Sequence, residues 1–145
     1  ETLLPTLQAK PELIPTAVEE SLRLDSPVSL LLRVCVGDVD FNGASIREGD
    51  TVAYGVASAN RDETVFDDAD SFRLDRRQPK GHVAFGGGPH VCPGASLARL
   101  EGRILLQVAV EKLAGIELAS GTTYEKVPVF WANGPSALPA RLVGR

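Results

Sequence analysis

An α+β fold is predicted by three features of this 145-residue sequence. Two segments carry apolar residues at helical spacing, an Asn-Gly pair sits between alternating residues, and a glycine-rich loop leads into the longer helix. Taken in chain order, residues 11–23 place Ile14, Val18 and Leu22 on one helical face. Residues 30–36 form an apolar run with β-branched content, interrupted by Arg33, and read as a strand. Asn42-Gly43, in the middle of residues 39–46, is a strong hairpin signal. Glu48-Gly49-Asp50 then turns the chain into residues 51–56, so this middle region reads as one small sheet. No period persists across residues 63–83, which predicts a long ordered loop. From residue 96 to about residue 113, Leu97, Leu100, Ile104, Val108 and Glu111 mark helical spacing, and Leu105, Leu106, Val110 and Leu113 widen the apolar face. Such a helix is about 27 Å long. Residues 127–135 read as a strand entering another turn.

Composition narrows the class. A hydrophobic content of 43% can supply one domain core, although a chain that expects neighbours would leave some of that surface bare. The net charge of −4 argues against a nucleic-acid partner. No run approaches the roughly 20 apolar residues that span a bilayer, and no signal peptide, internal repeat or low-complexity tract is visible. Two cysteines without paired spacing fit a reducing compartment.

The chemistry concentrates in Phe85-Gly86-Gly87-Gly88-Pro89-His90-Val91-Cys92-Pro93-Gly94. The consecutive glycines lack a Cβ, so the backbone can take positive φ and lie flat against a planar ligand. Cys92 arrives at a helix start, where unpaired N–H groups and partial positive charge suit a thiolate metal ligand. Rival readings of the loop lack parts. A P-loop needs a Gly-Lys-Ser/Thr ending, which is missing. Gly94-Ala95-Ser96-Leu97-Ala98 lies near a nucleophile-elbow spacing, but no strand precedes Ser96, and His82 and His90 both come before it. Cys35, His82, His90 and Cys92 lack the paired spacing of a zinc site, and there is no C-x-x-C-H run. Cys35, within the apolar run, reads as inert core. Upstream, Glu20 sits three residues before Arg23 while Glu19 competes for the same arginine. Taken alone, such a pair is an ordinary solvated contact worth about 0.2–0.5 kcal/mol.

The spacing F-x-x-G-x-H-x-C-x-G, followed by Ala98-Arg99-Leu100-Glu101, resembles the haem-binding signature of the cytochrome P-450 family, and residues 19–28 resemble that family's K helix. The resemblance covers nearly all of residues 1–145 and implies the C-terminal haem-ligand portion of the mainly helical cytochrome P-450 fold. Its parts would be the K helix, a small β-sheet, the meander, the cysteine-ligand loop, a long L helix and a C-terminal β-hairpin, with residues 58–62 as a short helix. The cofactor implied is haem b, with the Cys92 thiolate as axial iron ligand, His90 and Arg33 holding propionates, and Phe85, Gly86 and Gly94 shaping the loop. Glu20 and Arg23 would be buried and joined by Arg76, locking the segment before the loop. Val28, Ser29, Leu30, Trp131 and Ala132 would line a compact, mainly apolar substrate pocket.

The resemblance further implies a bacterial-type, cytoplasmic haem-thiolate monooxygenase that hydroxylates a small organic substrate. Its electron donor would be a ferredoxin or flavodoxin, and Arg73, Arg76, Arg77, Lys80, Arg99 and Arg103 surround the loop in sequence, where they could steer an acidic partner. The family's oxygen-activating helix, with its acid-alcohol pair, has no counterpart here, and residues 114–118 do not match it. The expectation is therefore a fragment whose N-terminal part is another partner. The competing class is a non-catalytic haem-binding or partner-binding module derived from a truncated family member. Pro93 departs from the family's usual non-proline residue after the ligand and removes one N–H that would otherwise point at the sulfur. That predicts more electron density on the iron and a lowered reduction potential.

Overall fold

The computed structural model describes residues 3–76, 81–119 and 124–145. It opens on α1 (Leu3–Ala9), a helix too short to show a period in the sequence. Leu3 and Leu7, four residues apart, place it on the core. A 3-10 turn at Pro11–Leu13 leads into α2 (Ile14–Leu24), whose first turn holds Pro15, a residue that costs nothing where the N–H is unpaired anyway. The long helix α4 (Ala95–Lys112) crosses α2, and Gly102 makes the approach possible. A Cβ there would stand 3.2 Å from Val18 Cγ1. Leu7, Ile14 and Ala17 form the apolar core, with Leu74, Leu106 and Val110 packed against them. Gln8 Nε2 donates to the Leu113 carbonyl at 2.7 Å and so ties α1 to the end of α4.

The expected single sheet is instead a set of separate two-stranded sheets among the described residues. Strands β1 (Leu31–Val34) and β4 (Thr51–Tyr54) pair antiparallel, with Leu31 opposite Tyr54. Strands β2 (Val39–Phe41) and β3 (Ala44–Ile46) form the hairpin that Asn-Gly predicts. Its two turn residues take φ of 49° and 83°, the positive values that suit a two-residue hairpin loop. The short helix α3 is Val56–Ala59, two residues earlier than expected, because Val56 anchors it in the interior. No α-helix or strand interrupts the described part of residues 63–83.

The C-terminal region differs most. Residues 127–135 make no strand and contribute only isolated bridges, Val28 to Ala132 and Lys126 to Pro135. The paired elements are β5 (Leu113–Leu118), directly after α4, and β6 (Ala140–Gly144), antiparallel with Leu118 opposite Ala140. The apolar face of α4 is also used less than its spacing suggests. No residue of the helix is buried, and Leu97, Leu100, Ile104, Leu105 and Val108 are about half exposed or more, Leu105 reaching 70%. No helix among the described residues is long and apolar enough to cross a membrane.

Candidate functional site

The glycine-rich loop is closed at both ends by backbone hydrogen bonds before α4 begins. The Cys92 N–H donates to the Phe85 carbonyl at 2.9 Å, and the Gly86 N–H donates to the Val83 carbonyl at 2.9 Å. Gly86 and Gly88 have φ of 72° and 60°, a region that side-chain-bearing residues rarely enter. A 3-10 turn at Gly88–His90 follows, and the Cys92 carbonyl accepts the Ala95 N–H at 3.2 Å as the helix starts. Cys92 and His90 are exposed, whereas Phe85, Gly86 and Gly94 are half-buried. Arg33 is exposed on β1, where its Nη1 donates to the Leu32 carbonyl at 2.8 Å and its Cζ lies 5.4 Å over the Tyr54 ring. Its charge stays at the surface, so the cost of burying a cation in an apolar strand does not arise. Cys35 is half-buried in the turn after β1 rather than in the core, and its Sγ donates to the Gly37 carbonyl at 2.9 Å.

These residues fit a haem by the chemistry of their donors. Among the described residues no three of His, Cys, Asp and Glu gather to hold a bare metal ion. A porphyrin brings its own ring nitrogens and needs one protein ligand, which an exposed thiol at a helix start can supply. Glycine at position 94 keeps the side of the sulfur open, since a Cβ there would stand 3.7 Å from Cys92 Sγ.

Behind the loop the interior is ionic. Glu20 and Arg23, both fully buried, share a two-pronged pair: Arg23 Nε donates to Oε2 and Nη2 to Oε1, each at 2.8 Å. Arg23 spends its other N–H groups on the carbonyls of Asn60, Ala69 and Ser71 at 2.7, 2.6 and 3.0 Å. Arg76 reaches the same carboxylate through Nε at 3.0 and 3.1 Å, and donates from Nη1 to the Asp67 carbonyl at 2.7 Å. The Arg73 backbone N–H adds a further donor to Glu20 at 3.0 Å. Phe66 lies beneath both guanidinium groups, 5.2 Å from Arg23 Cζ and 5.8 Å from Arg76 Cζ. This cluster ties α2 to residues 60–76.

Glu19 does not compete for Arg23. It accepts Arg99 Nε at 2.8 and 3.1 Å, and His82 Nε2 lies 3.1 Å from its Oε2. The Ala84 N–H donates to His82 Nδ1 at 3.2 Å, which leaves the ring proton on Nε2 to face Glu19. Asn60, fully buried, accepts the Val83 N–H at 2.7 Å and donates to Ser26 Oγ at 2.7 Å. Glu19, His82, Arg99 and Asn60 were not legible as a group, because their partners lie up to 80 residues apart. The only sequence hint was a second acid beside Glu20.

Burial pushes the Glu19 carboxyl up, but hydrogen bonding and charge from Arg99 and then His82 outweigh it and hold the group below the ordinary carboxylate range. Glu20 is also held low, burial being overcome by Arg23, the Arg73 N–H and Arg76. For His82, burial pushes the imidazole down, Glu19 raises it, Arg99 and Arg23 lower it, and the net shift is downward. All three shifts disfavour the folded state in acid. Unfolded histidine takes up its proton near 6.5 while folded His82 stays neutral, so stability should begin to fall as pH drops below 6.5. It should fall more steeply below 4.5, where unfolded carboxylates protonate and folded Glu19 and Glu20 do not. Urea midpoints measured from pH 7.5 to 3.5 check this, and a flat profile down to pH 5 would contradict the His82 part.

The five residues expected to line a pocket are brought together in two segments. Val28 bridges Ala132, and the Ser29 N–H and Oγ both donate to the Trp131 carbonyl, at 2.8 and 3.1 Å. Leu30 is half-buried just before β1, and Trp131 is 45% exposed. The basic residues around the loop are less free than their spacing suggests. Arg73 is paired with Asp68 and Asp75, and Arg76 and Arg99 turn inward to Glu20 and Glu19. Arg103 is half-buried, and Arg77 and Lys80 lie outside the described residues.

Comparison with known proteins gives the class. The family profile described as Cytochrome P-450 matches residues 7–114. The chain is 41% identical over 133 residues to a protein named steroid C26-monooxygenase from Mycolicibacterium smegmatis, covering 92% of this chain and 33% of that protein. It is 42% identical over 133 residues to a biotin biosynthesis cytochrome P-450 from Bacillus subtilis, again covering 92% and 33%. The solved structure of a Mycobacterium marinum cytochrome P-450 in the substrate-free form matches with a TM-score of 0.92 at 33% identity, over 97% of this chain and 36% of that one. The chain belongs to the cytochrome P-450 family, whose members hold haem b. It spans about a third of the length of the relatives it matches.

Proposed function

We propose that this chain supplies the haem-ligating side of a haem-thiolate monooxygenase acting on a small, mainly apolar organic substrate. The observation that carries the reading is Cys92, exposed on a loop whose backbone is closed onto Phe85 and whose bends need Gly86 and Gly88. When bound, haem supplies oxygen activation, with the thiolate pushing electron density toward O–O cleavage. The chain's own part is to hold the sulfur at a fixed place. Phe85, Gly86 and Gly94 shape that place, and Glu20, Arg23 and Arg76 brace the segment before it. His90 and Arg33, both exposed cations or donors near the loop or on β1, would hold the propionates.

Val28, Ser29, Leu30, Trp131 and Ala132 would meet the substrate, and a relative named steroid C26-monooxygenase supports an apolar one. A ferredoxin or flavodoxin is the proposed donor, approaching the cysteine side. The uncovered apolar face of α4 suits packing against further chain of the same fold, of which the relatives carry about twice as much. A cytoplasmic location goes with this reading, since two cysteines without paired spacing fit a reducing compartment.

The test is oxidation by the haem-loaded protein with a ferredoxin-type donor and a panel of small apolar compounds. Substrate-dependent oxygen use with labelled oxygen in the product supports the reading. Haem binding without it would favour the non-catalytic module. Pro93→Leu restores an N–H beside the sulfur and is expected to raise the reduction potential. An unchanged or lower value in a redox titration would contradict the tuning role of Pro93.

A further inference from the structure

Glu19 is buried at 1% exposure and faces away from the Glu20 cluster, so the brace before the loop does not account for it. Its two donors both lead to Phe85. His82 accepts the Ala84 N–H through Nδ1 and sets its ring 6.2 Å from the Phe85 ring. Arg99, on the first turns of α4, donates Nε to Glu19 and lays its Cζ 4.6 Å over the Phe85 ring. Phe85 is the residue whose carbonyl receives the Cys92 N–H at 2.9 Å. Two short routes from one carboxylate therefore converge on the peptide that tethers the cysteine.

We propose that Glu19, His82 and Arg99 are positioning residues for the Cys92 sulfur, acting through Phe85 and separately from Glu20, Arg23 and Arg76. The proposal rests on Cys92 being the haem ligand. Buried ion pairs are weak as sources of stability, because desolvation offsets most of their attraction. What this group fixes is geometry. The carboxylate oxygens hold donors that lie 63 and 80 residues away, so the loop cannot tilt without separating one of them. Outer partners of a metal ligand commonly carry about 10–100-fold in metal affinity.

Arg99→Lys isolates the claim, because it keeps a cation for Glu19 but loses the planar group stacked on Phe85. His82→Phe, which removes both polar contacts of the ring, is the second variant if Arg99→Lys does not fold. Each is compared in the haem-loaded full-length protein with wild type, Cys92→Ser and the surface control Arg141→Lys. Haem affinity should fall by about tenfold. The reduced carbon monoxide complex should lose part of its thiolate band, and the Cys92 amide should exchange its hydrogen faster in the haem-free protein. Arg141→Lys should match wild type. Wild-type affinity, band and exchange in both variants would overturn the proposal. A wild type whose band is absent, or survives Cys92→Ser, refutes the ligand reading itself, while the exchange rates still report on the Phe85 tether.

Discussion

Arg23→Ala is expected to destabilise the protein by about 3–5 kcal/mol, the usual consequence of removing one partner of a buried ion pair. All five guanidinium N–H groups of Arg23 are occupied, two on Glu20 and three on the carbonyls of Asn60, Ala69 and Ser71. Truncation takes from the Asn60 and Ala69 carbonyls the donor they share, leaves the Ser71 carbonyl with Arg76 Nη2 at 3.2 Å, and leaves Glu20 with Arg76 as its remaining charged partner. Ala69 and Ser71 lie in the long irregular segment, whose described residues form no α-helix or strand to satisfy their carbonyls, and Asn60 caps the end of α3. Arg23→Lys should fall between wild type and Arg23→Ala, because a point charge cannot reproduce the fork. Urea unfolding reads the difference. A loss below about 1 kcal/mol, the range of an exposed pair, would show that the cluster is not the brace it resembles.

Cys92→Ser is expected to abolish the proposed monooxygenase activity while leaving the fold intact. The side chain is exposed and its tether to Phe85 runs through the backbone N–H, which serine keeps. What changes is the donor. A serine hydroxyl holds its proton at neutral pH and is a hard oxygen, a poor match for iron that thiolate binds well. Loss of the thiolate's electron push should raise the reduction potential of any haem retained. Unchanged activity and potential in a variant with a wild-type circular dichroism spectrum would remove Cys92 from the chemistry.

How much of this was legible depended on how local the cause was. The hairpin follows from Asn42-Gly43, two adjacent residues that tolerate positive φ, and α2 and α4 follow from spacing along a single helix. The sharp bends at Gly86 and Gly88 likewise have their cause in the residues that make them. Pairing across the chain was not visible. Strand β5 is six residues continuing from a helix, and its partner β6 begins after a long intervening segment, so neither carried a turn signal joining them. Residues 127–135 have strand-like composition, yet Pro128 and Pro135 limit the ladder and leave isolated bridges. For the site, the Glu20 and Arg23 pair shares one helix and could be found by spacing. Glu19 looked like a rival for Arg23 because i,i+4 spacing permits it, and only tertiary folding brings His82 and Arg99 to it instead. The same limit applies to Arg76 and Arg99, which count as part of a basic patch in sequence although Glu20 and Glu19, far along the chain, neutralise them. Arg73 is paired locally, by Asp68 and Asp75.

The carbon monoxide difference spectrum of the reduced, haem-loaded protein, recorded beside Cys92→Ser, tests the central claim most directly. A strongly red-shifted Soret band that disappears in the variant is the predicted result, and it assigns the axial thiolate to Cys92. A folded, haem-containing wild type without that band, or a band that survives in Cys92→Ser, would contradict it.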